Sequence, residues 1–193
     1  MPPNTTRDQI LDCSLNLFYQ HGFEAVGIDR IVKEVGVVKA TFYNHFASKD
    51  SLILAVVEKR DAWWRKTLRD EITERGGDDP VARLRAIFDV LNTWFGTHDF
   101  NGCLFINCAS AFPSPLDPAH KAAKANVDAI RGMIAELADE AKIANPYEFA
   151  QQFNLIVEGA IVTEVIDRKG KAAETGARLA NTLIDFHLGQ AEP

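Results

Sequence analysis

The sequence predicts an all-α protein of about nine helices, and three observations support this fold class. Apolar residues recur at steps of three and four along most of the chain. No segment shows the sustained alternation of apolar and polar residues between hairpin turns that indicates a β-strand. The 193 residues are 47% hydrophobic and 25% charged, an ordinary globular composition, so the chain is expected to bury a core in one large domain or two modest ones.

The first predicted helix starts at Thr6, where the segment Thr-Arg-Asp-Gln has the form of a capping box. Its inward positions, from Ile10 to Phe18, repeat at helical spacing. Gly22 ends the run, because glycine readily takes the left-handed conformation that closes a helix. The expected helix therefore lies between these two signals.

Residues 28–46 are predicted to form a helix-turn-helix. A short amphipathic run ends at Gly36, which can adopt the left-handed conformation of a sharp turn, and Val37 can fill the space between the two helices. The second helix carries polar outward residues that could donate hydrogen bonds to DNA. Those residues are Lys39, Thr41, Tyr43, Asn44 and His45. Two packed helices with a solvated polar face are the alternative interpretation of this pattern.

Ser48 is expected to cap a fourth helix that extends toward Arg75, where a Gly-Gly-Asp segment stops it. Three later helices share one start signal, which places a capping Asp or Asn before a proline suited to the first helical position. These starts are Asp79-Pro80, Asp117-Pro118 and Asn145-Pro146. A short helix over 103–111 and a last helix between Gly170 and Leu188 complete the predicted layout.

Charge is distributed unevenly along the chain. The net charge is −6, but residues 1–75 carry 11 basic and 11 acidic side chains, whereas residues 76–193 carry 10 and 16. A chain with this balance has no general attraction to nucleic acid or to an anionic membrane. Any contact with DNA must therefore come from a local motif rather than from the overall charge.

The block from Ile10 to Leu54 resembles the amino-terminal DNA-binding domain of the TetR family of bacterial transcriptional regulators. The matching segments are Thr6-Arg7, Leu17-Phe18, His21-Gly22-Phe23, Gly27 to Ile31, Gly36-Val37, Thr41 to Phe46 and Ser48 to Leu52. The resemblance implies a three-helix DNA-binding domain over residues 1–50 and a larger helical effector-binding and dimerisation domain over residues 51–193. A later segment, Asn101 to Asn107, is similar to one found in a group of these regulators.

The resemblance assigns roles to the second helix of the motif, which it places in the major groove of DNA. The base contacts that it implies are those of Lys39, Thr41 and Asn44. The phosphate contacts that it implies are those of Tyr43, His45 and Lys49. Lys49 lies at a helix start, where backbone N–H groups and a cation together can bind one phosphate. Phe42 and Phe46 are expected in the core, because an apolar aromatic at helical spacing is more often packed than exposed.

Two positions depart from the family pattern. Val38 stands where many members have a Ser or Thr that would cap the second helix of the motif, and Gly27 stands where a hydroxyl residue often precedes the first. A lost cap costs on the order of 1 kcal/mol. These departures leave the expected fold unchanged and bear on DNA affinity and on the operator sequence.

The segment 153–166 is apolar on more than one face and is expected to supply a homodimer surface. The family's layout implies that it pairs with the Ala-rich last helix to form half of an intersubunit four-helix bundle. The expected interface residues are Phe153, Ile156, Gly159, Ala160, Ala177 and Ala180. Burial within a single chain is the alternative explanation.

The middle helices concentrate aromatic side chains, and the resemblance implies that they bind a small organic effector. Plain core packing is the alternative for most of these aromatics. The residues expected to line the pocket are Trp63, Phe88, Asn92, Phe95, Cys103, Asn107, Phe112 and Asn154. The expected function is that of a repressor: effector binding favours a state whose two recognition helices no longer match palindromic operator DNA.

The three cysteines are an odd and widely spaced set, which argues against disulfides and for a reducing cytoplasm. A helical enzyme or a thiol-based sensor that uses Cys103 or Cys108 is the alternative function, and a purely structural dimerisation module is a third. The preferred interpretation includes no catalytic residue, metal or other cofactor, because His98 and His120 lack tight ligand spacing. No membrane span is expected, nor a secretion signal in residues 1–6.

Overall fold

The structure is a computed structural model that describes residues 5–189. That range contains nine α-helices and no strand, as the sequence predicts. They are α1 (Thr6–His21), α2 (Ile28–Val35), α3 (Lys39–His45), α4 (Lys49–Gly76), α5 (Pro80–Phe95), α6 (Leu104–Ala111), α7 (Pro118–Glu140), α8 (Pro146–Asp167) and α9 (Ala172–Gly189). No helix in this range is both long and apolar enough to cross a membrane. The prediction about a secretion signal falls on residues 1–6, of which 1–4 lie outside the described range.

The capping residue of α1 is Thr5, so the prediction of Thr6 was wrong by one position. The Thr5 Oγ1 accepts a hydrogen bond from the Asp8 N–H at 3.2 Å, and the Asp8 carboxylate accepts one from the Thr5 N–H at 3.2 Å. Both Thr5-Asp8 and Thr6-Gln9 have capping-box spacing, but a carboxylate is the stronger acceptor. The Thr5 hydroxyl, which donates to Asp8, lowers the pKa of that carboxyl.

The three Asp-Pro and Asn-Pro signals mark real helix starts, although one of them works differently from the prediction. The Asp79 carboxylate accepts from the Val81 N–H at 2.8 Å, and the Asp117 carboxylate accepts from the Ala119 N–H at 2.7 Å. Asn145 makes no side-chain cap and instead takes the left-handed conformation, with φ 53°. Its backbone turns the chain into α8, since asparagine tolerates this conformation better than most residues.

Contacts divide the described chain into two compact units. The head unit comprises residues 5–63 and 103–125, and the body unit comprises residues 64–102 and 126–189. α4 and α7 each contribute to both units. This division by contacts differs from the predicted domain boundary at residue 50, which concerns function and stays a prediction.

The head unit is built around the aromatic residues of its short helices. Phe18 and Phe23 pack with ring centroids 5.3 Å apart, and Phe23 meets Phe112 at 5.7 Å. On the surface, the Lys59 ammonium of α4 lies 2.6 Å from the Asp12 carboxylate of α1. The first helix is thus attached to the first half of α4 by an ion pair as well as by the core.

The body unit centres on α9, which packs against α5 and α8. Phe88 of α5 and Phe153 of α8 meet edge to face, with ring centroids 5.6 Å apart. Gly176 of α9 lies against this pair: a Cβ atom at that position would stand 2.5 Å from the Phe88 ring and 3.3 Å from the Ala160 Cβ. The absence of a side chain at residue 176 therefore lets α9 approach α5 and α8.

A buried carboxylate closes the turn between α8 and α9. Glu164, which is 4% exposed, accepts hydrogen bonds from the Gly170 N–H at 2.9 Å and from the Ala172 N–H at 3.4 Å. Arg168 leaves α8 in the left-handed conformation, with φ 48°. One side chain of α8 thereby satisfies backbone donors at the start of α9, which would otherwise lack partners.

We expect Gly176→Ala to destabilise the protein by about 1–3 kcal/mol, because the new methyl group would overpack the Phe88 ring. Chemical denaturation measures the free energy of unfolding. Gly132→Ala in α7 is the matched control, since a Cβ there has no atom within 4 Å, and it should stabilise the helix by roughly 0.5–1 kcal/mol. Equal stability of the two variants would contradict the close approach.

Candidate nucleic-acid interface

The turn between α2 and α3 is closed by Gly36 as predicted. Gly36 takes the left-handed conformation, with φ 79° and ψ 29°. Its N–H and that of Val37 both donate to the Val32 carbonyl, at 3.0 and 2.9 Å. Val37 is half-buried beside the turn. The tight turn sets α3 at an angle to α2, which is the arrangement of a helix-turn-helix.

α3 has one buried side and one open side. Phe42 is fully buried and Phe46, which follows the helix, is 4% exposed, with the two ring centroids 5.8 Å apart. Thr41 is half-buried, and Tyr43 is 53% exposed with its ring edge-on to Phe42. The open side also carries Lys39, Asn44 and His45, all exposed. The polar residues that the sequence singled out are therefore available to a partner.

The first residue of α3 is engaged by the preceding helix. The Lys39 ammonium lies 2.6 Å from the Asp29 carboxylate in the first turn of α2. The hydrogen bond that the Lys39 ammonium donates to the Asp29 carboxylate raises the pKa of Lys39. Sequence reasoning missed this pair, because the two residues belong to different helices and only the turn brings them together.

Neither helix of the motif has a side-chain cap at its start. Gly27 precedes α2 and Val38 precedes α3, and no side-chain hydrogen bond reaches the first turn from either position. This agrees with the two departures from the family pattern that the sequence shows. α3 therefore keeps free backbone donors at its start and depends on packing to hold its place.

The start of α4 is capped by a pair of serines. The Ser48 Oγ accepts from the Ser51 N–H at 3.1 Å, and the Ser51 Oγ accepts from the Ser48 N–H at 3.0 Å. Lys49 is the first residue of the helix and is half-buried. An ammonium beside the N–H groups of a helix start is a favourable place for a phosphate.

Two further cations lie on the helices around α3. The Arg7 guanidinium of α1 stacks over the Phe46 ring, 5.1 Å from its centroid. The Arg30 guanidinium of α2 lies 2.8 Å from the His21 Nε2. The sequence did not predict this stack of Arg7 on Phe46, because a contact between α1 and the end of α3 has no signature in local spacing.

The residues predicted to line an effector pocket are divided between the two units. Trp63, Cys103, Asn107 and Phe112 belong to the head unit, and Phe88, Asn92, Phe95 and Asn154 belong to the body unit. Phe88 and Phe95 are buried, Asn154 is buried and donates to the Glu158 carboxylate at 2.9 Å, and Asn92 and Asn107 are exposed. Trp63 is 50% exposed under the Arg60 guanidinium. The pocket stays a prediction.

α8 and α9 each carry an exposed stripe, of which the sequence prediction named one residue, Gly159. The stripe of α8 is Leu155, Gly159, Val162 and Ile166, and that of α9 is Thr175, Leu179, Thr182 and Phe186. Steps of four, three and four residues place each set on one side of its helix. A groove of about 560 Å³ lies between the helices, with Leu155, Ile156, Gly159 and Leu179 among its lining residues.

Three residues of the predicted dimer surface are buried within their own subunit, and the predicted surface as a whole stays a prediction. Phe153, Ala160 and Ala180 are 0%, 6% and 1% exposed, because they pack within the core of their own subunit. A helix that is apolar on several faces can bury one face internally and offer another, and the sequence pattern alone does not separate the two. Ile156 and Ala177 are half-buried and Gly159 is exposed, so these three remain accessible.

Two of the three thiol groups, those of Cys13 and Cys108, are poorly suited to nucleophilic chemistry. Cys108 is fully buried, its Sγ lies 3.6 Å from the Ala119 carbonyl oxygen, and burial raises the pKa of the thiol to about 12. Burial also raises the pKa of Cys13. Since the thiolate is the nucleophile, Cys108 is a weak candidate for a reactive residue. Within residues 5–189, no group of three or more His, Cys, Asp or Glu side chains is placed to hold a metal ion.

Two family models match the chain. Residues 10–56 match bacterial regulatory proteins of the tetR family, and residues 80–180 match the tetracyclin repressor-like C-terminal domain. The second match alone spans more than half of the 193 residues. The first match contains α2, α3 and the start of α4, which carry the surface described above.

Relatives and solved structures extend these matches over nearly the whole chain. The HTH-type transcriptional regulator YjdC of Escherichia coli is 22% identical over 184 residues, covering 93% of this chain and 94% of that protein. The transcriptional regulator AcuR of Cereibacter sphaeroides is 27% identical, and the match covers 79% of this chain and 73% of that protein. SCO4454, a TetR-family transcriptional regulator from Streptomyces coelicolor, superposes with a TM-score of 0.85 at 25% identity, covering 95% and 96%. The reduced form of Escherichia coli NemR superposes at 0.82 with 21% identity, covering 92% and 95%, which shows the fold alone.

We expect Cys108 to resist alkylation in the folded protein. A pKa of about 12 in place of the usual 9.0 leaves roughly a thousandth of the ordinary thiolate fraction at pH 8. Iodoacetamide labelling at pH 8, read by peptide mass spectrometry, should therefore modify Cys108 slowly until urea unfolds the chain, and labelling should accelerate as the pH rises toward 12. Rapid modification of Cys108 without denaturant would contradict its burial.

Proposed function

The chain belongs to the TetR family and is a DNA-binding transcriptional regulator, and we propose that it recognises palindromic operator DNA through α3 and the start of α4. One observation carries this proposal. α3 buries Phe42 and Phe46 on one side and presents a row of polar side chains on the other. A helix held in this way can enter the major groove with its donors pointing at base edges and phosphates.

We assign the contacts by side-chain chemistry. Asn44 has a terminal amide that can bond an adenine edge at two points, and Lys39 and Thr41 are further donors toward bases. Tyr43, His45 and Lys49 are assigned to phosphates, since each has a donor on an exposed or half-buried side chain. The Ser48–Ser51 cap supports this role of Lys49, because it holds the start of α4 where backbone N–H groups add to the cation.

We propose that the functional species is a homodimer joined through the exposed stripes of α8 and α9. Exposed leucines support this: Leu155 is 68% and Leu179 56% exposed in the subunit, on either side of the α8–α9 groove. A second copy that covered both stripes would bury them in a four-helix arrangement. Two recognition helices would then meet half-sites about one DNA turn, roughly 34 Å, apart, which explains a palindromic target.

We further propose that the protein is a cytoplasmic repressor that leaves DNA when a small organic effector binds. The concentration of aromatic side chains in the middle helices supports an apolar ligand. Among its relatives, Escherichia coli NemR is named a repressor and Mycolicibacterium smegmatis FasR an activator, so both directions of control occur in related proteins. Repression is the simpler mechanism, because a bound dimer blocks a promoter without needing a second partner.

The alternatives drawn from the sequence have less support. Members of this family are transcriptional regulators rather than enzymes, and the proposed enzyme or thiol sensor needs a reactive cysteine. Cys108 does not meet that requirement, since its thiol is buried and protonated at neutral pH. A purely structural dimerisation module would not need an exposed row of donors on α3.

We expect Tyr43→Ala and Lys49→Ala to weaken binding to every duplex, whereas Asn44→Ala changes the preferred sequence. Loss of the Lys49 cation should lower the slope of log affinity against log salt by about 0.9 for each subunit, whereas loss of the neutral Tyr43 hydroxyl should weaken binding with little change of slope. The lost amide contact should cost roughly 1–3 kcal/mol at one base pair of each half-site. Gel shifts with a palindrome selected from a random pool by the unmodified protein provide the measurement. Tyr147→Ala, at an exposed tyrosine of α8, is the control; wild-type binding by all three head variants would refute the assignment.

We expect Leu155→Asp or Leu179→Asp to convert the dimer into monomers and to abolish tight binding to the palindrome. Both side chains are exposed in the subunit, so helix content and thermal unfolding of the subunit should change little. Sedimentation at micromolar concentration measures the mass. Leu116→Asp, which replaces a 77%-exposed leucine of the head unit, should leave the dimer intact. A monomeric parent protein, or a dimeric Leu155→Asp variant, would contradict the proposed interface.

A further inference from the structure

One ion pair joins the two helices of the helix-turn-helix at their starts. Asp29 lies in the first turn of α2, Lys39 is the first residue of α3, and 2.6 Å separates the carboxylate oxygen from the ammonium. Both side chains remain open to water, at 59% exposure for Lys39 and 78% for Asp29. The contact therefore sits on the surface that faces DNA in the proposed function, and not in the core.

The pair matters because α3 carries so little charge. Its sequence, Lys-Ala-Thr-Phe-Tyr-Asn-His, contains one side chain that is always cationic at neutral pH. Asp29 offsets that charge. On α2, Glu34 is the other acid, and it forms no ion pair with α3 in the described structure. The recognition helix is thus electrically almost neutral until Lys39 leaves Asp29.

We propose that Asp29 is a specificity-determining residue, which withholds Lys39 from DNA of the wrong sequence and releases it only to a matching base edge. This inference rests on the proposed DNA-binding function. Asp29 lies outside the set of residues assigned to DNA contacts. Its proposed role is to suppress DNA binding that does not depend on sequence.

The physical basis is the difference between phosphates and bases as acceptors. A free ammonium gains energy from a phosphate on any duplex, because that attraction is independent of sequence. A lysine paired with Asp29 gains little interaction energy from the same phosphate. Its ammonium must leave the Asp29 carboxylate, whose negative charge then stays near the DNA backbone. A guanine edge offers two acceptors, O6 and N7, in a fixed position. A guanine edge can therefore replace the Asp29 carboxylate as the partner of Lys39, whereas a single mobile phosphate cannot.

The exchange is feasible because the pair is exposed. Ion pairs in contact with water are weak, so the two acceptors of a base edge can together displace Asp29, whereas exchange of the carboxylate for a single phosphate brings little net gain. Asp29 also lies in the first turn of α2, where a negative charge interacts favourably with the helix dipole whether or not Lys39 is bound to it. The carboxylate can therefore stay in place when Lys39 turns toward DNA.

The test compares Asp29→Asn with Glu34→Gln in the full-length protein. Both substitutions remove one negative charge from α2 with little change of shape, but only the first removes the partner of Lys39. Affinities are measured for two duplexes over a range of salt: the palindrome that the unmodified protein selects from a random pool, and a scrambled duplex of the same composition. Thermal unfolding followed by circular dichroism verifies that each variant folds.

We expect Asp29→Asn to bind the scrambled duplex more tightly and with a salt slope steeper by about 0.9 for each lysine released. The ratio of palindrome to scrambled affinity should fall about fivefold or more. Glu34→Gln should change the affinities for the two duplexes by the same factor and leave their ratio unchanged. In a Lys39→Ala background, Asp29→Asn should lose its effect on the ratio, because there is no ammonium left to release.

Three outcomes would overturn the inference: an unchanged ratio in Asp29→Asn, an equal fall in Glu34→Gln, or the same fall in the Lys39→Ala background. The last two would indicate general repulsion between the acids of α2 and DNA. Failure of the unmodified protein to select any palindrome would instead refute the proposed function. The two failures are therefore distinguishable in one set of measurements.

Discussion

The burial of two phenylalanines supports the whole surface that we propose to bind DNA. α3 has seven residues, whereas an isolated helix needs about 12–15 residues to be even marginally stable in water. Its start has no side-chain cap to compensate. Phe42 and Phe46 supply the missing stability, since full burial of such a ring contributes roughly 1.5–3 kcal/mol. The orientation of the polar side is thus set by side chains that face away from it.

Much of the fold could be predicted because its signals are local. Gly36 marks a turn that few other residues could make, and Asp79 and Asp117 cap helices from the position directly before a proline. The burial of Phe42 and Phe46 follows from their spacing of one helical turn. In each case the physical cause lies within a few residues of its effect, so a single sequence is sufficient to find it.

The features that escaped prediction depend on residues that are distant in the chain or on competing local choices. Thr5 and Thr6 have equivalent capping-box spacings, and the Asp8 carboxylate, as the stronger acceptor, selects Thr5. The Asp29–Lys39 pair exists because the turn folds α2 onto α3. Phe153 looked like an interface residue because an apolar pattern shows how many faces are buried, but not whether the partner is the same chain or another copy. These features depend on how separate segments pack together, and no single residue or short motif predicts them.

The carboxylate of Glu164 has a consequence for assembly. It ties the first backbone groups of α9 to α8, so the antiparallel helix pair is locked as a hairpin inside each subunit. The exposed stripes of α8 and α9 then keep a fixed distance from each other and a fixed offset along the helix axes before a second copy binds. Association would therefore lose little conformational freedom, because the surfaces are preorganised. A turn of four residues, 168–171, would in this way lower the entropic cost of the proposed pairing of two subunits.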